Sequence, residues 1–246
     1  MEQGAQASSH PQDYAMETWH GNGGATLRQL VFGMNDGLVA TVGLVAGLIF
    51  AGSSRGVVLG ATVAAIVAAV ASMALGSYLS THAEVAYQEA QIHRERREIE
   101  EQPGEELNEM RQIYQGYGMD EDEIRIFLDH FQRDKKLWLK LMLRDELGIV
   151  PESFESPWKN AVQMAFAVAA GSLAPLLPII LGGTPKHMFS WVLWLSAMTA
   201  FGLGAVTARS TSKAWWRSGM EFLFVAAIAA GIGMGAGILI APLFAA

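Results

Sequence analysis

The sequence predicts an all-α membrane protein: five transmembrane helices, with a three-helix acidic domain inserted after the second and facing the cytoplasm. Two observations carry that fold class. Of the 24 Asp and Glu residues, 19 fall between Ala83 and Pro157, together with 10 of the 17 Lys and Arg, while the rest of the 246-residue chain is rich in Ala, Gly, Val, Leu and Met. Such segregation separates a lipid-facing part from a water-facing part. The second observation is a set of five apolar runs, each approaching or reaching the roughly 20 residues that cross a bilayer as helix. The expected organisation is a polar tail over 1–26, two spans within 27–82, the acidic domain over 83–157 and three spans within 158–246.

The tail begins "MEQGAQASSHPQDYAMETWHGNGG". It lacks the basic start and apolar core of a signal peptide, and reads as a flexible cytoplasmic segment with Trp19 placed to touch the membrane surface. The first span covers about 30–52 and holds the most informative residue, Asp36. The apolar run after it, Leu38 to Gly52, is 15 residues, too short to cross alone. A spanning helix must therefore begin near Leu27 or Leu30, and "LRQLVFGMNDGLVATVGLVAGLIFAG" takes Asp36 below the membrane surface. An ionisable group there costs about 3 kcal/mol or more and by default marks an ion or substrate path. The competing arrangement is an interfacial turn at Asn35-Asp36-Gly37 with a helix that starts late.

The second span runs from Gly56 to Leu79. No breaker follows until Pro103-Gly104, so this helix is expected to continue out of the membrane. A second helix of the domain covers about Glu105 to Gln115 and stops at Gly116-Tyr117-Gly118. A third opens at Asp120, which can cap it with Glu123 three residues on. Its apolar positions Ile124, Phe127, Phe131, Trp138, Leu141 and Met142 follow helical spacing, and Gly148 and Pro151 end it. The remaining spans are Ala161 to Leu181, with Pro175 and Pro178 expected to kink it, then Met188 to Ala208, then Phe222 to Phe244. Gly43, Gly47, Gly233 and Gly237 are among the small residues that permit close helix approach. The connection before the last span holds Arg209, Lys213 and Arg217 and is expected in the cytoplasm. That orientation puts the N-terminus and the acidic domain in the cytoplasm and the C-terminus outside.

The chain has no cysteine, which excludes a disulfide framework, thiolate metal sites and a cysteine nucleophile. The acidic domain is net negative by nine, from 19 acidic and 10 basic residues, and lacks the basic face that nucleic acid requires. Its carboxylates are arranged. Glu84, Glu95 and Glu98 share one stripe, because eleven residues make about three turns. Glu106 and Glu109 are three apart, and Met142 and Glu146 four apart. Folding the short helices together would gather these groups. Carboxylates with a thioether suit a divalent cation of intermediate softness, Fe(II) or Mn(II), better than Mg(II) or Ca(II). The alternative is a solvated acidic face tied by pairs such as Glu95 with Arg96 or Arg97. His82 and His93 read as surface imidazoles that could join a metal site. Two other functions compete. A membrane-anchored di-iron ferroxidase or store would use Glu-x-x-His pairs from two helices; the domain has none, and the one match, Glu17 to His20, lies in the tail. An acidic interaction module that docks a partner leaves Asp36 unexplained.

Five blocks in order resemble the vacuolar iron transporter family of Fe(II)/Mn(II) transporters: "VFGMNDGLVATVGLVAGL", "SMALGSYLS", "RERREIEEQPGEELNEMRQIYQGYGM", "LKLMLRDELGI" and "WWRSGMEFL". The resemblance covers the chain from about Leu27 onward. It implies a homodimer in membrane lipid, not an enzyme, that moves Fe(II), and often Mn(II), out of the cytosol in exchange for protons. It implies no resident cofactor; the metal is cargo, with Co(II) and Zn(II) as further candidates. The intramembrane metal site would be Asp36 and Met73, with Met34 and Asn35 as additions. The cytoplasmic site would use Glu95, Glu98, Glu106, Glu109 and Glu146, with Met142 beside the last. The sequence departs from the family where Leu143 follows Met142 in place of a second methionine. It also departs where Ala65 or Ile66, and Ser77, stand in place of glutamates. A second intramembrane carboxylate for proton coupling is therefore missing, leaving Asp36 or a cytoplasmic glutamate to serve. The expected location is the cytoplasmic membrane of a bacterium, or a vacuolar membrane in a eukaryote.

Overall fold

In a computed structural model, residues 23–151, 154–182, 185–211 and 213–244 are described. The tail reading, with Trp19, Glu17 and His20, falls mainly on 1–22 and lies outside them. The described residues form helices and no strands: α1 (Gly23–Phe50), α2 (Arg55–Glu101), α3 (Pro103–Gly116), α4 (Glu121–Arg133), α5 (Lys135–Asp145), α6 (Pro157–Leu181), α7 (Pro185–Thr211) and α8 (Trp215–Phe244). Five of these, α1, α2, α6, α7 and α8, are long and apolar enough to cross a membrane. The chain divides into two compact units. One takes the described residues up to Tyr78 and those from Pro157 on; the other is Leu79–Ser156.

In the first unit α1 is the central helix, packing along α6, α7 and α8. Small residues make these approaches close. A methyl group built on Gly37 would collide with the Val168 carbonyl, and one on Gly171 with the Met34 carbonyl. Farther along, Gly43 meets Gly233 and Gly47 meets Gly237 in the same manner. Without a hydrophobic drive between lipid-bathed helices, such contact of backbones supplies the association energy. α1 runs unbroken through Asn35, Asp36 and Gly37, so the interfacial-turn alternative does not hold. The helix also starts earlier than span length alone required.

α6 stays helical through Pro175 and Pro178, both buried. Its C-terminus is closed by Arg55, the first residue of α2. Arg55 donates from Nε to the Ile179 carbonyl at 3.1 Å and from Nη2 to the Ile180 carbonyl at 2.7 Å. A guanidinium there satisfies carbonyls that have no partner inside the helix and lies at the negative end of its dipole.

α2 has 47 residues, about 70 Å at 1.5 Å per residue, more than twice a hydrocarbon core. Its first turns bury Val58 and Thr62, and no residue from Val63 to Leu79 is buried. It packs lengthwise along no other helix.

The second unit is water-soluble in pattern. Ile99 from α2, Met110 and Tyr114 from α3, Ile124, Leu128 and Phe131 from α4, and Trp138 and Met142 from α5 form one core. The capping box expected at α4 is present: Asp120 Oδ1 accepts from the Glu123 N–H at 2.8 Å, and Glu123 Oε2 accepts from the Asp120 N–H at 2.9 Å. The single helix expected from Asp120 to Gly148 is corrected to two, α4 and α5. Asp134 leaves helical geometry (φ −127°, ψ 89°), and its carboxylate caps the N–H groups of Lys136 and Leu137. The local side-chain bond competes with helix continuation, as aspartate does at an N-cap.

Candidate metal centre

α3 begins with Pro103 in its first turn and buries one stripe, Glu106, Met110 and Tyr114. α5 buries Trp138, Met142 and Leu143 and ends at Asp145, with Glu146 as its C-cap. The C-terminal part of α2 contributes Glu95, one turn before the core residue Ile99. Packing those two apolar faces against Ile99 brings three carboxylates from three helices together. Glu95, Glu106 and Glu146 each present an oxygen, and these oxygens lie within 4.8 Å of one another.

Glu95 and Glu106 are 3% and 5% exposed. A buried carboxylate needs a cation or a donor, yet Glu95 Oε1 and Glu106 Oε2 have no hydrogen-bond partner. The cost appears in their proton affinity. Burial, then the charges of Glu146 and Glu106, push Glu95 up to about 8. Burial, then the charges of Glu109 and Glu106, push Glu146 up to about 7. Glu106 is raised too, chiefly by burial, although its bond with Glu95 works against the shift. Converging carboxylates that resist joint ionisation, Glu95 and Glu106 buried and Glu146 exposed, are the arrangement a multivalent cation relieves.

Glu98 and Glu109 stand beside this triad, close enough to raise its proton affinities by their charge. Glu109 shares a hydrogen bond with Glu146. Glu98 is held by Arg94 Nε at 3.0 Å, a pair of the surface-face kind. The proposed Glu95 pairing with Arg96 or Arg97 is not found: Glu95 is buried, and both arginines are exposed. Met142 is fully buried one turn before Glu146, and Met110 holds the mirror position one turn after Glu106. Met110 was not singled out by sequence, although its spacing from Glu106 was visible. Glu84 is exposed and stands eleven residues, about 16 Å of helix, before Glu95; it is not in the cluster. His82 and His93 are exposed and outside it as well.

The cluster has a neighbour that sequence did not show. The Tyr114 hydroxyl donates to Asp145 Oδ2 at 3.0 Å, and Arg144 donates to both Asp145 oxygens at 2.6 and 3.2 Å. The Arg144 bond holds the Asp145 carboxyl below its ordinary range. Burial and the Asp145 bond push the Tyr114 phenol up.

In the other unit Asp36 is half-buried on α1, ten residues and about 15 Å beyond the start of the candidate span Thr26–Phe50. Its surroundings are set by the α1–α6 contact. The Ser172 hydroxyl, buried, lies 3.1 Å from the Gly37 carbonyl and 2.9 Å from that of Val168. Met34 packs its backbone on Gly171. Asn35 lines a cavity of about 420 Å³ with Arg28, Phe32, Glu221 and Phe222. Phe32 and Ala40, one turn either side of Asp36, are exposed. Met73 is half-buried on α2. Since α1 and α2 do not pack along each other, one chain does not assemble Asp36 and Met73 into a site.

A sequence model of the VIT family matches residues 27–238. The chain is 28% identical to vacuolar iron transporter 1 of Oryza sativa subsp. japonica, over 93% of this chain and 90% of that protein. It is 31% identical to vacuolar iron transporter 1 of Arabidopsis thaliana, over 85% and 84%. It is 33% identical to a vacuolar iron transporter of Toxoplasma gondii, over 72% and 62%. With the five apolar helices, these likenesses make the chain a multi-pass integral membrane protein.

Proposed function

The chain belongs to the VIT family, and on that premise we propose that it carries Fe(II) out of the cytosol, gathering the ion on its acidic domain and passing it through Asp36. The observation that carries the reading is the triad of Glu95, Glu106 and Glu146, with two buried oxygens left without a partner. The donor set is all carboxylate at its centre, with Met142 and Met110 buried nearby, which suits Fe(II) and Mn(II). The acidic domain faces the cytosol and concentrates cations by its field.

The membrane step uses Asp36 and Met73, with Met34 and Asn35 beside the path. A dication and a carboxylate are each costly in oil, and their pair is less so. Two copies of the chain are needed. The α1 stripe around Asp36 and nearly the whole membrane length of α2 are left uncovered by one chain, and a homodimer that joined these faces would bring Met73 toward Asp36. Protons exchange for the ion: on the outer side an arriving proton takes the Asp36 carboxylate and the metal leaves. That side is the exterior of a bacterial cytoplasmic membrane, or the vacuolar lumen in a eukaryote.

The test is uptake of Fe(II), Mn(II), Co(II) and Zn(II) into proteoliposomes with and without an acid lumen. The reading expects Fe(II) entry, faster into an acid lumen, with that lumen losing acidity as metal enters. Absence of Fe(II) entry overturns the transport reading. Entry indifferent to the gradient overturns proton exchange alone.

A further inference from the structure

Before an ion arrives the metal centre holds no opposite charge to draw Glu146 toward Glu95 and Glu106, so its reach into the cluster depends on what holds the end of α5. Glu146 is the exposed C-cap of α5, with its own N–H bonded to the Met142 carbonyl. The residue before it is tethered. Asp145, its side chain 9% exposed, accepts the Tyr114 hydroxyl at 3.0 Å. Tyr114 is itself fixed: it is 5% exposed, and its ring meets Phe127 edge-on at 5.1 Å and Tyr117 at 5.9 Å.

The tether joins the two helices that matter. Tyr114 closes the buried stripe of α3 that begins with Glu106. Eight residues separate them, about 12 Å of helix. Neighbouring residues at the end of α5 thus reach two points on one face of α3, Asp145 at Tyr114 and Glu146 at Glu106. Fixing one point limits where the other can go.

We propose that Tyr114 is a positioning residue for the metal centre, its hydrogen bond to Asp145 holding Glu146 in the cluster before the ion binds. This rests on the reading of Glu95, Glu106 and Glu146 as a metal site. Groups hydrogen-bonded directly to a metal's ligands are worth roughly 10- to 100-fold in affinity; Tyr114 acts through the residue next to a ligand, which points to the lower end of that range. The role is distinct from packing, because the ring of a phenylalanine fills the same place and only the hydroxyl is lost.

The experiment uses the full chain in detergent with Mn(II) as the probe, followed by calorimetry and by its electron paramagnetic resonance spectrum. Tyr114→Phe is expected to weaken Mn(II) about tenfold or more and to change the spectrum, with the helical signal intact. Asp145→Ala should do the same. In the Asp145→Ala background Tyr114→Phe should add no further loss of Mn(II) affinity, because the acceptor of its hydroxyl is already gone. If Tyr114→Phe lowers thermal stability yet binds Mn(II) with parental affinity and spectrum, the hydroxyl is merely structural and the proposal fails. If one variant does not fold, the other decides on the same criteria. A parental chain that binds no Mn(II) overturns the metal-site reading itself, an outcome separable from loss in the variant alone.

Discussion

In the unit that crosses the membrane, no aromatic side chain among the described residues is buried: Phe166 is 70% exposed and Trp194 69%, while Gly37, Gly171 and Ser172 are buried. In the acidic unit the order is reversed, with Phe131 and Trp138 each 2% exposed and arginines on the surface. The difference follows from the solvent. Water drives apolar groups inward; lipid does not, and leaves close backbone contact to hold helices together. The carboxylates differ as well. The acidic unit crowds three from three helices, whereas the membrane unit holds Asp36 alone on its helix.

The largest expected effect tests that last contrast. Asp36→Asn removes one charge and nearly no volume. Transport in proteoliposomes should fall to background, while Mn(II) binding at the acidic cluster stays parental. Glu106→Gln should do the reverse, weakening Mn(II) binding severalfold and slowing uptake mainly at low metal concentration. If Asp36→Asn transports at the parental rate, the assignment of gathering to one unit and passage to the other is wrong.

The packing contrast predicts opposite responses to side-chain size. Phe131→Ala should cost about 3–5 kcal/mol by opening a cavity in the acidic core. Phe166→Ala, with its ring directed outward, should cost little. Gly171→Ala adds a single methyl to the first unit, yet it forces α1 and α6 apart at the Met34 carbonyl, at a cost of about 1–3 kcal/mol. Unfolding in detergent, followed separately by tryptophan fluorescence and by the helical signal, checks all three. Parity between the two phenylalanine variants would erase the contrast.

A third effect belongs to the cluster alone. Glu95 and Glu146 bind protons up to about pH 8 and 7 in the fold, against an ordinary glutamate value of 4.5. The folded state therefore holds more protons than the unfolded chain between these limits. Stability from this source is complete below about pH 4.5 and is lost as pH rises through 7 to 8. Without metal, the acidic unit should melt at lower temperature at pH 8 than at pH 5. Fe(II) or Mn(II) should reverse the trend and release protons on binding. A melting temperature that rises with pH in metal-free protein contradicts the crowding.

Much of this architecture was legible because it follows from local signals. Segregated charge separated the two units, apolar length marked five helices, and Asp120 with Glu123 marked a helix start. The break at Asp134 carried neither Gly nor Pro, and "FQRDKKLW" reads as continuous helix unless the aspartate is seen to cap. Glu84 illustrates a second limit. Helical periodicity placed it on one stripe with Glu95, but a stripe has length, and a metal site spans only one turn of it. The pairing of Tyr114 with Asp145 and the cap of Arg55 on α6 join residues 31 and more than 120 positions apart. No spacing rule reaches that far, and such pairs exist only once the helices have packed.

The smallest expected effect separates scaffold from site within the acidic unit. Asp120→Ala removes the side-chain half of the capping box, the bond accepted from the Glu123 N–H, and should cost about 1 kcal/mol. α4, which it caps, supplies Ile124, Leu128 and Phe131 to the core but no carboxylate to the triad, whose members come from α2, α3 and the end of α5. Thermal stability should drop modestly, then, while Mn(II) affinity and spectrum hold. The outcome bears on how the cluster is kept in shape. If affinity falls along with stability, the geometry of the three glutamates depends on the whole core, and the local tether at Tyr114 is not sufficient to maintain it. If affinity holds, α4 acts as a wall, and the positions of the ligands are set by the helices that carry them.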